Sequence, residues 1–300
     1  MNHFRPSRPI STVSNHCVVA ADPCGHSTHA GSYTSQKGGL PMLGALIGDI
    51  AGSIYEWHNH KSKDFPFLQP QCRMTDDSIM TTAIAAAVLE GIDDLDEFKT
   101  NVIAQMRYFG ARYPGRGYGP RFERWLTSPE PQPYHSLGNG SAMRVSPVAW
   151  AAESLPQCLA LAKASAEVTH DHPDGIAGAC AVAGAVYLAR TGADKAAIAD
   201  HVTRYYPLGF TLDEIRDAYP FDVSCAGSVP QAMEAFLEAE SFEDAVRNAI
   251  SIGGDSDTIA CMAGAVAAAF FGIPKDIREA AQPFLEGEVK RVYQAFIQRY

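Results

Sequence analysis

The chain of 300 residues is long enough for one large domain or two small ones, and its hydrophobic content of 46% suffices for a sizeable core. The formal net charge of −10 argues against nucleic acid as the main partner, because binding to its phosphate backbone depends on clustered lysine and arginine. Seven scattered cysteines, without a Cys-x-x-Cys pair, indicate reduced thiols in a cytoplasmic protein and argue against a disulfide framework.

Residues 1–40 are rich in serine, histidine, glycine and proline and show no sustained hydrophobic periodicity. This composition predicts a disordered leader or a non-native extension, followed by one helical domain from residue 41 to residue 300. A zinc site is an alternative for the leader, but the spacing of its possible ligands matches no standard zinc finger. These ligands are His16, Cys17, Cys24, His26 and His29.

Apolar residues recur at helical spacing from residue 42 to residue 57, which predicts the first helix of the domain. Asp49 and Glu56 are seven residues apart and would share nearly the same face of this helix. Such charged faces are usually solvated. Here the face borders a row of glycines that would let another backbone approach closely, which favours a buried role; the glycines are at 44, 48 and 52.

Helical periodicity continues through most of the chain, divided by proline, glycine and capping residues. Residues 221–224 are the best candidate for a strand, and they are too short to build a sheet. The longest apolar runs, 176–189 and 259–273, fall short of the roughly 18 residues that a membrane-spanning helix needs. The pattern predicts a compact all-α domain with further helices at 79–90, 93–113, 121–126, 145–153, 155–168, 170–190, 194–205, 226–238, 241–250, directly after 258, 276–281 and 286–299.

Two of these helices are entered through short acidic segments that carry hydroxyl groups. One is Thr75-Asp76-Asp77-Ser78, and the other is Asp255-Ser256-Asp257-Thr258 after a glycine pair. Asp, Ser and Thr at such positions most often cap the helix. Together, however, the two entrances supply six hard oxygen ligands that could hold two divalent cations and leave positions open to water. The presence of both entrances therefore favours a metal site.

Three other features could support this site, although each has a commoner structural explanation. Gly138–Arg144 could be a loop whose backbone N–H groups approach a phosphate, with Arg144 as an anchor, or a simple turn before a helix. Glu56 could position substrate or transfer a proton, although most glutamates at helix ends are solvated. His170 and His172 could bind metal or ligand, and the residues that could stack on a base are Trp57, Tyr118, Tyr134 and His135.

Several common catalytic motifs do not occur in the sequence. Gly-x-Ser-x-Gly, the Walker loop and a Gly-x-Gly-x-x-Gly after a strand are all missing. Serine-hydrolase, NTPase and Rossmann dehydrogenase functions therefore lack their signatures.

Five stretches, in chain order, resemble motifs of the ADP-ribosylglycohydrolase family, which includes dinitrogenase-reductase-activating glycohydrolases and ADP-ribosyl-acceptor hydrolases. The resemblance spans residues 42–273 and matches the C-terminal helices only loosely. Ser78 departs from the threonine of many members but keeps the hydroxyl group. The stretches are 44–56 (GALIGDIAGSIYE), 74–78 (MTDDS), 138–144 (GNGSAMR), 169–170 (TH) and 253–258 (GGDSDT).

The resemblance implies an all-α orthogonal bundle with two Mg²⁺ ions, or Mn²⁺, at the base of a cleft. Catalysis would depend on Glu56, Asp76 and Asp257. The metal ligands would be Thr75, Asp76, Asp77, Asp255, Asp257 and Thr258. The residues lining the ADP-ribose site would be Gly138, Asn139, Gly140, Ser141, Met143, Arg144 and His170.

The implied activity is metal-dependent hydrolysis of the glycosidic bond between ADP-ribose and an acceptor, which releases ADP-ribose. The acceptor would be a protein side chain or a small conjugate, and the linkage stays open between arginine, serine and others. Two alternatives are a non-catalytic ADP-ribose-binding module and a metal-dependent hydrolase of another nucleotide-linked metabolite. We expect a cytoplasmic protein that is a monomer by default and that has no membrane or nucleic-acid partner.

Overall fold

The computed structural model describes residues 40–300, and all the named elements in this range are helical. The prediction of an all-α domain is confirmed. The predicted leader and its alternative zinc ligands lie outside the described residues, apart from residue 40. The α-helices are α1 (Leu43–Gly52), α2 (Asp76–Glu90), α3 (Leu95–Arg112), α4 (Pro120–Thr127), α5 (Gly140–Met143), α6 (Ser146–Ala151), α7 (Leu155–Glu167), α8 (Pro173–Arg190), α9 (Lys195–Val202), α10 (Leu212–Ile215), α11 (Cys225–Leu237), α12 (Phe242–Ser251), α13 (Ser256–Phe271), α14 (Lys275–Ala281) and α15 (Gly287–Arg299), with a 3₁₀ turn at Gln282–Phe284.

Helices α1 and α13 pack backbone against backbone at the centre of the domain. All residues of α1 are buried, as is α13 from Ser256 to Ala269. A Cβ atom at Gly48 would lie 2.0 Å from the carbonyl oxygen of Ala260, and one at Gly52 would lie 2.4 Å from the Cα atom of Asp257. Only glycine permits this approach. The contact brings the C-terminal end of α1 next to the acidic entrance of α13.

The first helix is shorter than its hydrophobic pattern predicts. It ends at Gly52, because the Ser53 hydroxyl donates a hydrogen bond to the Ile50 carbonyl and the Tyr55 N–H returns to the Gly52 carbonyl. The prediction of a helix to residue 57 was wrong, and so was the shared helical face of Asp49 and Glu56. Glu56 instead lies on the turn that follows α1.

The stretch 138–144 contains one helical turn, α5, where the sequence predicted a loop. The preceding residues pair with the predicted strand 221–224 through a single antiparallel bridge between Gly138 and Ser224. Helix α10 was also not predicted, although Thr211 and Glu214 form a capping box at its start. None of the helices between residues 40 and 300 is both long and apolar enough to cross a membrane.

All five cysteines in the described part of the chain are buried and free. This agrees with the predicted reduced thiols for that part; the five are Cys72, Cys158, Cys180, Cys225 and Cys261.

We expect Gly48→Ala to lower the free energy of unfolding by about 3 kcal/mol, because the new methyl group would collide with the backbone of α13 and force the two helices apart. Gly209→Ala is the control, since a Cβ atom there would meet no atom of residues 40–300 within 4 Å. Denaturant unfolding of the two variants measures the difference. Equal stability of both would contradict the close packing of α1 on α13.

Candidate active site

A cavity of about 540 Å³ opens where the N-terminal ends of α2 and α13 meet. Its volume lies within the range of small-molecule sites, roughly 300–1,000 Å³. One part of the lining is acidic and contains Glu56, Asp76, Asp77, Asp255 and Asp257. Another part is aromatic and contains Trp57, Tyr118, Phe122, Tyr134 and Phe221. The two acidic entrances, far apart in the sequence, therefore face the same space.

The carboxylates form two groups that share one residue. Asp49, Asp77 and Asp257 make up the first group, and Glu56, Asp255 and Asp257 make up the second. Within each group, one potential ligand atom per residue lies within 4.8 Å of the others. None of the ion pairs in the described part of the chain involves these side chains. Buried like charges without counterions are unfavourable, so this arrangement suits bound cations.

Asp49, which was not among the predicted ligands, holds the entrance of α2 in place. Its carboxylate accepts hydrogen bonds from the Thr75 N–H and hydroxyl, at 3.0 and 2.6 Å, and from the Ser78 N–H, at 3.0 Å. The Ser78 hydroxyl also donates to it. A fully buried carboxylate on α1 thus caps a helix that begins 27 residues later. The sequence signal for Asp49 was its position as the only charged residue within the apolar α1.

Capping explains one of the two acidic entrances better than the other. The Thr75 side chain accepts a hydrogen bond from the Asp77 N–H, as an N-cap should. Asp255 occupies the N-cap position of α13, but its side chain makes no capping hydrogen bond. Its carboxylate instead accepts a hydrogen bond of 2.6 Å from the Asn139 side chain. Asp255 is therefore directed toward the cavity and away from the end of its own helix.

One oxygen of Asp77 has no hydrogen-bond partner among residues 40–300. The Thr258 hydroxyl donates to Oδ2 of Asp77 at 3.1 Å, whereas Oδ1 is buried and unpaired within this range. Leaving a buried polar atom without a partner is costly. A cation that bound to this oxygen would remove that cost, so the residues present fit a metal site.

The electrostatics of the group oppose ionisation in the metal-free protein. Burial, followed by the neighbouring carboxylates, raises the pKa of Asp76, Asp77 and Asp257 well above its ordinary value. Burial also raises the pKa of Asp255 to about 6. Burial and then the charge of Asp255 raise the pKa of Glu56 to about 7. A carboxyl group with a pKa near neutrality can both accept and donate a proton at physiological pH.

The predicted metal ligands differ in whether they belong to a carboxylate group and whether they line the cavity. Asp77, Asp255 and Asp257 belong to the two carboxylate groups, and Thr258 lines the cavity beside them. Asp76 belongs to neither group; its carboxylate faces the cavity where Gly117 passes, and a Cβ atom at Gly117 would lie 2.8 Å from it. Thr75 does not line the cavity and binds Asp49 behind it.

Most of the predicted ADP-ribose residues line the same cavity. They are Gly138, Asn139, Gly140, Met143, Arg144 and His170. Ser141 does not line it, because its buried hydroxyl donates to the Gly175 carbonyl at 2.6 Å. Ser141 therefore connects α5 to α8.

Arg144 is 1% exposed, and no acidic side chain in the described part of the chain forms an ion pair with it. Its Nη2 atom donates to the Ser165 carbonyl at 3.0 Å and to the Thr169 hydroxyl at 2.8 Å, and its Nε atom has no hydrogen-bond partner from residue 40 onward. Burial lowers the pKa of Arg144 to about 10, which leaves the group charged at neutral pH. The cavity thus has a buried positive charge available for an anionic ligand.

His170 lines the cavity together with Arg144, and both side chains contact the Thr169 hydroxyl. Its Nδ1 atom is 2.6 Å from the Thr169 hydroxyl, and its Nε2 atom lies 3.2 Å from where a Cβ atom of Gly140 would be. Burial, with the charge of Arg144, lowers the pKa of His170 well below its ordinary value, so the ring is neutral.

Comparison with known proteins decides the family. The sequence model of the ADP-ribosylglycohydrolase family matches residues 41–300. The chain belongs to the ADP-ribosylglycohydrolase family. The predicted resemblance and the prediction of an enzyme are both confirmed.

Named relatives of this ADP-ribosylglycohydrolase come from animals and bacteria. The chain is 27% identical to the ADP-ribosylhydrolase ARH3 of Mus musculus, over 83% of the chain and 88% of the mouse protein. It is also 27% identical to the ADP-ribosylarginine hydrolase Tri1 of Pseudomonas putida, over 77% of the chain and 70% of that protein. The fold resembles a solved ADP-ribosylglycohydrolase-related protein complex, with a TM-score of 0.63 and 24% identity over 86% of this chain and 95% of the other.

In the absence of divalent cations, we expect the melting temperature to fall as the pH rises from about 5 to about 8. The folded protein holds protons on carboxyl groups whose pKa exceeds its unfolded value, so their contribution to stability is present at low pH. It is lost as the pH passes the raised values of about 6 for Asp255 and about 7 for Glu56.

Added Mg²⁺ should bind the ionised carboxylates and raise the melting temperature more at the upper end of this pH range than at the lower end. Thermal unfolding by differential scanning fluorimetry measures both effects. The Asp77→Asn, Asp257→Asn double variant is the control, and it should show a flatter pH dependence and a smaller response to Mg²⁺. A melting temperature that rises with pH and ignores Mg²⁺ would contradict the electrostatic account.

Proposed function

We propose that this protein hydrolyses the glycosidic bond between ADP-ribose and an acceptor, and that it does so with two Mg²⁺ or Mn²⁺ ions. The observation that carries the proposal is the pair of carboxylate groups that share Asp257 and lie beside a cavity large enough for a small molecule. Membership of the family and the names of its relatives support the choice of an ADP-ribosyl substrate.

Asp49, Asp77, Asp255 and Asp257 would hold the ions, with hydroxyl oxygens of Thr75 and Thr258 and the carboxylate of Asp76 close by. Divalent cations in such a site supply Lewis-acid polarisation of substrate oxygens and of a water molecule. The carboxylates must supply the attraction for the cations through their formal charge, because the N-terminal ends of α2 and α13 carry partial positive charge.

Glu56 handles the proton in this proposal. It is half-buried and lies in the second carboxylate group, and without bound cations its pKa is raised to about 7 by burial and by the charge of Asp255. In its ionised form it orients the attacking water and accepts its proton. The same carboxyl group can then return that proton to the departing acceptor, which regenerates the Glu56 carboxylate for the next reaction.

The remainder of the cavity suits the ADP part of the substrate. Arg144 contributes a buried positive charge that no described acidic residue pairs with, which favours the diphosphate. Gly138 and Gly140 leave room for the ligand beside His170. The aromatic side chains of the wall offer faces on which a base can stack. Trp57, which is 70% exposed, already stacks on Phe221 at a ring distance of 5.1 Å.

The acceptor stays open between the classes that the relatives represent, because one is named as an ADP-ribosylarginine hydrolase and the other is not named for its acceptor. The proposed monomeric state and cytoplasmic location stay predictions from the sequence.

Incubation of the purified protein and Mg²⁺ with arginine-linked and serine-linked ADP-ribosyl peptides should release free ADP-ribose from at least one of them, as measured by liquid chromatography. A chelator should abolish the release, because the carboxylates alone repel an anionic substrate. Binding of ADP-ribose without any release would favour the non-catalytic binding module. Absence of both binding and release would favour a different nucleotide-linked substrate.

Asp257→Asn should lower kcat at least about 100-fold, because Asp257 is the only residue common to both carboxylate groups and its loss weakens both cation sites. Asp96→Asn is a matched control, since Asp96 also lies in the first turn of a helix but is exposed on α3. Steady-state kinetics on the peptide that the wild type cleaves gives the comparison. An Asp257→Asn protein that keeps full activity would refute the metal assignment.

A further inference from the structure

Glu56 lies outside any helix, so its position depends on how the turn after α1 is held. The turn runs from Ser53 to His58 and contains the Tyr55 N–H bond to Gly52 and the His58 N–H bond to Tyr55. These local bonds shape the turn, but they do not fix it against the acidic entrance of α13. A contact across the chain must do that.

The Asn59 side chain makes this contact with all of its hydrogen-bonding groups. Its Nδ2 atom donates to the carbonyl oxygens of Tyr55 at 3.1 Å and of Glu56 at 2.8 Å. The same nitrogen lies 3.2 Å from the carbonyl oxygen of Gly254, and its Oδ1 atom accepts the Gly254 N–H at 2.7 Å. One amide thus joins the turn that carries Glu56 to the residue that precedes Asp255.

The glycine pair before α13 is shaped around this amide. Gly253 and Gly254 have φ angles of +69° and +72°, in the left-handed region that favours glycine. A Cβ atom at Gly253 would lie 2.7 Å from Oδ1 of Asn59. At these φ angles the N–H and the carbonyl oxygen of Gly254 both face the Asn59 amide, and a side chain at Gly253 would collide with it.

A second set of hydrogen bonds, made by Lys61, holds the chain just after the turn. Lys61 Nζ donates to the carbonyl oxygens of Tyr219 at 2.9 Å and Ile252 at 2.5 Å. It anchors the chain beyond the turn but touches neither Glu56 nor Asp255. The direct link between these two carboxylates therefore passes through Asn59.

We propose that Asn59 is a positioning residue that holds the Glu56 turn against Gly254 and so sets the place of the Glu56 carboxylate relative to Asp255 and Asp257. Its catalytic consequence rests on the proposed function. To hold the turn against Gly254, one short side chain must both donate and accept hydrogen bonds. Aspartate would keep the bond from the Gly254 N–H and lose those to the three carbonyl oxygens, whereas alanine would lose all four.

A double-mutant cycle with Glu56 tests whether Asn59 acts through that residue. Asn59→Ala in the wild-type background should lower kcat about tenfold or more and change KM much less, because a displaced catalytic group affects the reaction more than binding. In the Glu56→Gln background the same substitution should have no further effect on kcat. Asn59→Asp, which keeps the shape of the side chain, should behave like Asn59→Ala, and Asn101→Ala on α3 should behave like wild type.

Amide hydrogen exchange supplies a measurement that needs no substrate. Asn59→Ala and Asn59→Asp should speed exchange in residues 53–59 and 252–255 and leave α3 and α8 unchanged. An equal loss of kcat in both backgrounds, wild-type kcat in Asn59→Asp, or unchanged exchange in these segments would overturn the proposal. If the wild type releases no ADP-ribose, the proposed function fails, whereas the exchange result still decides whether Asn59 holds the turn.

Discussion

The close contact of α1 with α13 determines where the acidic side chains lie. Glycines at every fourth position of α1 bring its backbone against that of α13, so that Gly52 meets the Cα atom of Asp257. Asp49 is thereby fixed in the interior, and the chain leaves the helix next to the second acidic entrance. Asp49 also caps α2. The contact of α1 with α13 therefore determines the positions of Asp76 and Asp77 at the start of α2 as well. A single packing constraint thus assembles carboxylates from three separate parts of the sequence.

The assembled carboxylates work against the stability of the fold. Several are buried near one another, none of them forms an ion pair with a lysine or arginine between residues 40 and 300, and burial raises their pKa. Hydrogen bonds to Asp49 and to Asp255 offset part of this effect, as does the partial positive charge at the N-terminal ends of α2 and α13. Functional sites commonly keep such unfavourable arrangements, because the groups that bind a ligand cannot also satisfy one another.

The features that depend on local pattern could be predicted from the sequence, and those that depend on distant partners could not. Most helices and both acidic entrances follow from periodicity and from the types of residue at helix starts. The role of Asp49 requires Thr75 and Ser78, which are 26 and 29 positions away. The end of α1 was predicted wrongly because its apolar pattern continues past Gly52. The helix ends there because Gly52 packs against Asp257 and the Ser53 hydroxyl bonds to the Ile50 carbonyl. Ser141 was assigned from a motif, and only its bond to Gly175 shows that it faces the interior.

The aspartates that line the cavity lie at the starts of helices, whereas most of the other lining residues lie on the segments that connect helices. These aspartates are at the entrances of α2 and α13, and the residues on connecting segments include Tyr134, Phe221 and Val223. Phe221 and Val223 are 43% and 52% exposed, so substitutions there disturb little of the core. Because the two sets of residues lie on different segments, related proteins can change the connecting segments, and with them the substrate, while they keep the acidic residues and the reaction.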